Sequence, residues 1–235
     1  MSFDLVQIWN HMGMLAKVIA GVLVMFAVAS IGVVIERTLA FAKGAKESRE
    51  FAKQVAPKID SWEIEEIGAI AEKHKASPLA RVFGHTIERY LSAYEDLDGG
   101  LSPVEMARNE SQRRLEEIGS DLRRGMNVLA SVGSTAPFVG LLGTVIGIIT
   151  AFNALGASST AGIASVMIGI SEALAETALG LLVAIPAVLL FNYLSARVSL
   201  IELALGRSVG ELLDEMENRH GRKFERAQSD KAAAA

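Results

Sequence analysis

Residues 125–196 read GMNVLASVGSTAPFVGLLGTVIGIITAFNALGASSTAGIASVMIGISEALAETALGLLVAIPAVLLFNYLSA, and within these 72 positions only Glu172 and Glu176 are charged. The whole chain of 235 residues carries 23 basic and 27 acidic side chains, so an even spread would place about 15 charges in this block. No water-soluble core runs so far with so few, and the stretch predicts passage through a membrane. It is too long for one span, which needs roughly 20 residues, and suits two spans joined by a turn. The turn signal is Gly156-Ala-Ser-Ser-Thr-Ala-Gly162, small, polar and uncharged. This places one span at 127–155 and the next at 163–193, both long enough to tilt or to project beyond the bilayer.

Upstream, residues 36–124 hold 32 charges, whereas residues 1–35 hold only Asp4 and Lys17. Met14 to Ile35 reads as another span, with 18 uncharged residues between Lys17 and Glu36. Ala27-Val28-Ala29 resembles a signal-peptide cleavage site. The apolar run continues past it and no basic cluster leads it, so a retained span is the better reading. Basic residues flank the inner ends of the spans: Arg37, Lys43, Lys46 and Arg49, then Arg113, Arg114, Arg123 and Arg124, then Arg197 and Arg207. The N-terminal dozen and the 156–162 turn have no Lys or Arg. The positive-inside rule then predicts an N-out, C-in protein.

The segment between the first two spans reads as helices. Ser102-Pro103-Val104-Glu105 is a capping box with proline at the first helical position, and Ser77-Pro78 opens another helix in the same way. An earlier helix is expected to begin at Asp60-Ser61, and Asp98-Gly99-Gly100 to separate the two later ones. Past the third span, Ile201, Leu205, Val209, Leu212, Leu213 and Met216 recur at helical spacing. The expected fold is all-α: a periplasmic segment 1–13, transmembrane helices 14–35, 127–155 and 163–193, and a short periplasmic turn 156–162. A cytoplasmic helical region 36–126, a cytoplasmic amphipathic helix 194–218 and a disordered tail 219–235 complete the chain.

Several function classes drop out. No block is strongly basic, which argues against nucleic-acid binding. The chain has no cysteine, which excludes disulfides, iron–sulfur clusters and cysteine zinc sites. His11, His74, His85 and His220 are scattered without metal-ligand spacing, and no phosphate-binding loop is present. Neither an enzymatic constellation nor a resident cofactor or metal is expected.

Within the spans, Gly140, Gly143, Thr144, Gly147 and Ala151 form a small-residue face that lets two helix backbones approach closely. Packing accounts for the glycines. A span threonine usually satisfies its own backbone, yet Thr144 lies on this face. Pro137 and Pro186 interrupt the second and third spans, where kinks and freed carbonyls are expected. Counting about 1.5 Å per residue from Gly162 puts Glu172 roughly 15 Å into a hydrocarbon core of about 30 Å. An ionised carboxylate at that depth is costly, so Glu172 should face protein or water. Glu176, four residues on, shares its face with Ser165, Gly169 and Gly180, and two acids so close disfavour double ionisation. The alternative for either is a neutral acid hydrogen-bonded to a neighbouring helix, and for Glu176 the two readings stand level. A mid-membrane acid on a small-residue face points to ion handling.

At these residues the chain resembles the MotA/TolQ/ExbB family, proton-channel or stator subunits of the bacterial inner membrane. The resemblance rests on Ser134-Thr-Ala-Pro-Phe-Val-Gly-Leu-Leu-Gly-Thr-Val-Ile-Gly147 and on Gly169-Ile-Ser-Glu-Ala-Leu-Ala-Glu-Thr-Ala-Leu-Gly-Leu-Leu-Val-Ala-Ile-Pro-Ala187. The exit Ile35-Glu-Arg-Thr38 from the first span is similar too, nearer TolQ than ExbB. The resemblance implies a pentamer of this subunit around a dimer of a single-span, TolR- or ExbD-like partner that carries a membrane aspartate. It implies that protons moving down their gradient, with no bound cofactor, drive rotation whose motion reaches the periplasm or outer membrane. Envelope maintenance of the Tol-Pal kind, TonB-like uptake and gliding motility are the outputs it allows. Glu172 matches the family's channel glutamate, Thr144 and Thr177 its pore-lining threonines, and Pro186 the proline of its third-span motif. Two positions depart from the pattern: Glu176 stands where a small residue is usual, and Ile168 where proline precedes the glycine. The competing reading is a non-conducting scaffold that anchors a periplasm-reaching partner, its acids serving only as buried packing groups.

Overall fold

A computed structural model describes residues 13–95, 100–157 and 163–233. It consists of six α-helices: α1 (Met14–Ser61), α2 (Ile64–Lys73), α3 (Pro78–Glu95), α4 (Pro103–Arg123), α5 (Met126–Ala157) and α6 (Ile163–Ala233). Among the described residues there is no strand, and the protein is all-α. Residues 1–12, the Asp98-Gly99 break and positions 158–162 of the turn lie outside the described residues.

Three of these helices, α1, α5 and α6, are long and apolar enough to cross a membrane. A helix satisfies its backbone hydrogen bonds within its own segment, as hydrocarbon demands. Large apolar side chains stand exposed on all three: Val24, Met25 and Val28 on α1, Phe138 and Leu142 on α5, and Leu174, Leu182 and Leu189 on α6. Apolar surface of that extent fits lipid or a membrane-embedded neighbour.

The apolar unit comprises the chain up to Glu36 together with Gly125–Ser195. Ile19 and Leu23 of α1 pack with Val132 and Ala136 of α5 and Ala184 and Ala187 of α6. Gly125 opens α5 at φ +77, a left-handed conformation that glycine adopts without a Cβ penalty, and Val33 packs over it. α5 continues through Pro137 and α6 through Pro186.

The charged unit comprises Arg37–Arg124 and the chain from Ala196 onward. Its core joins Phe51, Ile67, Val82, Phe83, Ile87, Ile118, Leu212 and Met216, drawn from α1, α2, α3, α4 and α6. Phe51 meets Phe83 edge to face, with ring centroids 5.7 Å apart. Ser102 accepts from the Glu105 amide while Glu105 accepts from the Ser102 amide, the reciprocal cap read from the sequence. Ser77 caps α3 by accepting from the Ala80 amide at 3.0 Å. Arg37, buried, donates to the carbonyl of Asp121 at 3.0 Å, satisfying an acceptor at the end of α4.

Two expectations need correction. Asp60-Ser61 ends α1 rather than starting a helix, and α2 begins at Ile64. Trp62 takes φ +59 between them, where its indole lies under the Arg219 guanidinium, 4.9 Å from the ring centroid. That tertiary contact overrides the capping propensity of Asp and Ser. The tail also differs: α6 stays helical through Ala233 instead of dissolving after residue 218. After Gly221 the tail contains neither Gly nor Pro and is enriched in Ala, the strongest helix former.

Candidate functional site

The second and third apolar helices lie antiparallel in very close contact. A Cβ added at Gly147 would come within 2.8 Å of the Ala173 Cβ, and one at Gly169 within 2.8 Å of the Ala151 Cβ. At Gly140 it would lie 2.9 Å from the Glu176 carbonyl, and at Gly180 2.7 Å from that of Ala136. Real Cβ atoms do not sit so near, so these glycines are required by the approach of the two backbones. The face read from α5 and the Gly169–Gly180 face of α6 are therefore two sides of one seam.

The seam brings Thr144 and Thr177 together. Thr177 donates its hydroxyl to the Gly140 carbonyl at 3.1 Å, and the two threonine hydroxyls are 3.5 Å apart. Thr144, only 7% exposed, donates back to the Leu141 carbonyl of its own helix at 2.7 Å.

The two acids separate. Glu176 is 2% exposed and enters the seam at Gly143, where any side chain would overlap its carboxylate. Its Oε2 atom is buried without a hydrogen-bond partner. Glu172, one turn earlier, is half-buried, so part of it remains open at the surface of the protomer. Glycine 143 thus does more than admit a neighbouring helix: it provides the recess for a carboxyl group. The sequence reading assigned it to packing alone. The signal was present in its distance from the 156–162 turn, because positions equidistant from a hairpin turn face each other.

Pro186 lies at an apolar groove of about 300 Å³ between α1 and α6, lined also by Val28, Ser30, Leu182 and Ala187. Proline withholds the hydrogen bond that the carbonyl of Leu182 would otherwise accept. Ile168 is an exposed helical residue, and α6 proceeds through it without a break. The side chain of Ser165 lies outside the described residues.

Residues 74–206 match the MotA/TolQ/ExbB proton channel family. The chain is 26% identical over 205 residues to the biopolymer transport protein ExbB of Salmonella typhimurium, covering 87% of this chain and 83% of that one. It is 29% identical over 223 residues to the Tol-Pal system protein TolQ of Haemophilus influenzae, covering 89% and 92% respectively. With TolQ of Pseudomonas aeruginosa the identity reaches 44% over 112 residues, 48% of this chain and 46% of that one. Three apolar helices, a small-residue seam carrying two acids, and a match across more than half of its length lead to one conclusion: this chain belongs to the MotA/TolQ/ExbB proton channel family.

Proposed function

We propose that this chain is the proton-conducting stator subunit of a bacterial inner-membrane complex that converts proton motive force into mechanical work. Glu172 is the ion-path carboxylate, with Thr144, Thr177 and Glu176 completing the path. The observation that carries this reading is the half-buried position of Glu172 on an apolar helix, one turn from the threonine pair. A carboxyl group so placed reaches beyond its own protomer, where a neighbouring span or water can exchange a proton with it. One elementary charge crossing 100 mV releases about 2.3 kcal/mol, so a few protons bias a mechanical step.

The basic flanks support an N-out, C-in arrangement. The family membership supports five copies around a dimer of a single-span, TolR- or ExbD-like partner with a membrane aspartate. The output acts on the periplasm or outer membrane through Tol-Pal-like envelope maintenance, TonB-like uptake or gliding. Work is delivered through that partner.

The test replaces Glu172 by Gln in the full chain, co-expressed with the single-span protein that co-purifies with it. Proton flux into vesicles is measured beside assembly. Loss of flux with normal assembly is expected. Retained flux in a normally assembled complex overturns the reading, and failed assembly favours the scaffold instead.

A further inference from the structure

Glu176 lies outside every role that helix packing explains. A buried acid used for packing would hydrogen-bond a neighbouring helix, yet its Oε2 meets no donor or acceptor. The recess around it is specific, because only a glycine at position 143 leaves space for the carboxyl. Above and below it the seam is closed by Gly140 against Thr177 and by Gly147 against Ala173. The charged groups of the elements around it are few: Glu172 on its own helix, none on α5, and Lys17 and Glu36 on the apolar part of α1.

We propose that Glu176 is a second proton site, internal to each protomer, whose occupancy decides whether α5 and α6 close on each other. This rests on the ion-path reading of Glu172. With its proton, Glu176 is a neutral group that fits the dry recess at Gly143. Without it, an unpaired negative charge would be sealed between two helices, and its desolvation cost far exceeds the contact energy of one helical turn. The ionised form must reach water, so the seam opens at Gly143. The proton has a short route. Residues four apart on a helix have Cβ atoms about 5–6 Å from one another, so the Glu176 acid gives its proton to the ionised Glu172 carboxylate, directly or through one water. Glu172 becomes the neutral acid, Glu176 the carboxylate, and the reverse transfer reloads the inner site. Proton passage at Glu172 is thereby tied to a movement of α5 against α6, a chemical step coupled to a mechanical one.

The chain has no cysteine, so spin labels can be placed without background. Labels at Phe152→Cys and Met167→Cys, both exposed and on α5 and α6 respectively, report the separation of the helices in the full chain in lipid nanodiscs. Between about pH 5 and about pH 9, the range over which buried carboxyls titrate, the wild-type distance should lengthen by a few ångströms. Glu176→Gln should hold the short distance throughout. Gly143→Ala, which fills the recess, should hold the long one at every pH. A wild-type distance that does not change with pH overturns the proposal, as does a Glu176→Gln or Gly143→Ala protein that responds like wild type. Glu172→Gln judges the other reading: if it keeps its flux, the ion path is misassigned, while the distance response still decides the role of Glu176.

Discussion

The carboxylate of Glu176 occupies the space that any side chain at position 143 would need, so Gly143 and Glu176 form a matched pair across the α5–α6 seam. Neither residue explains itself. A glycine inside an apolar helix costs about 0.5–1 kcal/mol relative to alanine, and a buried acid costs more. Together they form a recess and its occupant.

The seam predicts opposite signs for chemically identical substitutions in one helix type. Gly147→Ala forces a methyl against Ala173 and should destabilise by about 1–3 kcal/mol through overpacking. Gly206→Ala on α6 meets nothing within 4 Å and should stabilise by about 0.5–1 kcal/mol. Thermal unfolding of the detergent-solubilised chain measures both, and equal signs would show that backbone approach is not what holds the seam glycines in place.

Thr177 links the two helices by a hydrogen bond that its methyl-bearing mimic cannot make. Thr177→Val should lose about 0.5–1.5 kcal/mol, and Thr177→Ser should keep most of it, because only the hydroxyl reaches the Gly140 carbonyl. A valine variant as stable as wild type would mean that the carbonyl finds no benefit from the donor.

Acid sensitivity is predicted in the charged unit. The Arg113 guanidinium, joined by that of Arg114, holds the Glu110 carboxyl below the usual range. With the folded value depressed, its stabilisation is complete above the unfolded value and is lost as pH falls through the folded one. The unfolding midpoint of the full chain should therefore fall on acidification below about pH 5. Glu110→Gln should lower the midpoint at neutral pH and flatten that decline. A decline of unchanged steepness would assign it to other carboxyls.

The cap at the start of α4 is a local device with a local test. Ser102→Ala should cost about 1 kcal/mol, and Ser102→Asp should retain the stability, since both native and aspartate side chains accept from the Glu105 amide. Midpoint shifts in thermal unfolding decide it.

The sequence by itself determined whatever depends on neighbours along the chain. The apolar runs that became α1, α5 and α6, and the caps at Ser77 and Ser102, follow from hydropathy and from the orphan amides of helix termini. Where a distant contact intervened, local reading failed: Asp60-Ser61 looks like a helix start, but Trp62 bends the chain there beside Arg219. The acids show the same division. Spacing of four placed Glu172 and Glu176 on one face of a helix, and no property of that helix alone ranks them. The position of α5 decided it, closing over Glu176 at Gly143 and leaving Glu172 half open. A side chain's place along a helix is set by the chain, but its desolvation is set by whichever surface arrives opposite it, and that surface comes from residues more than thirty positions away.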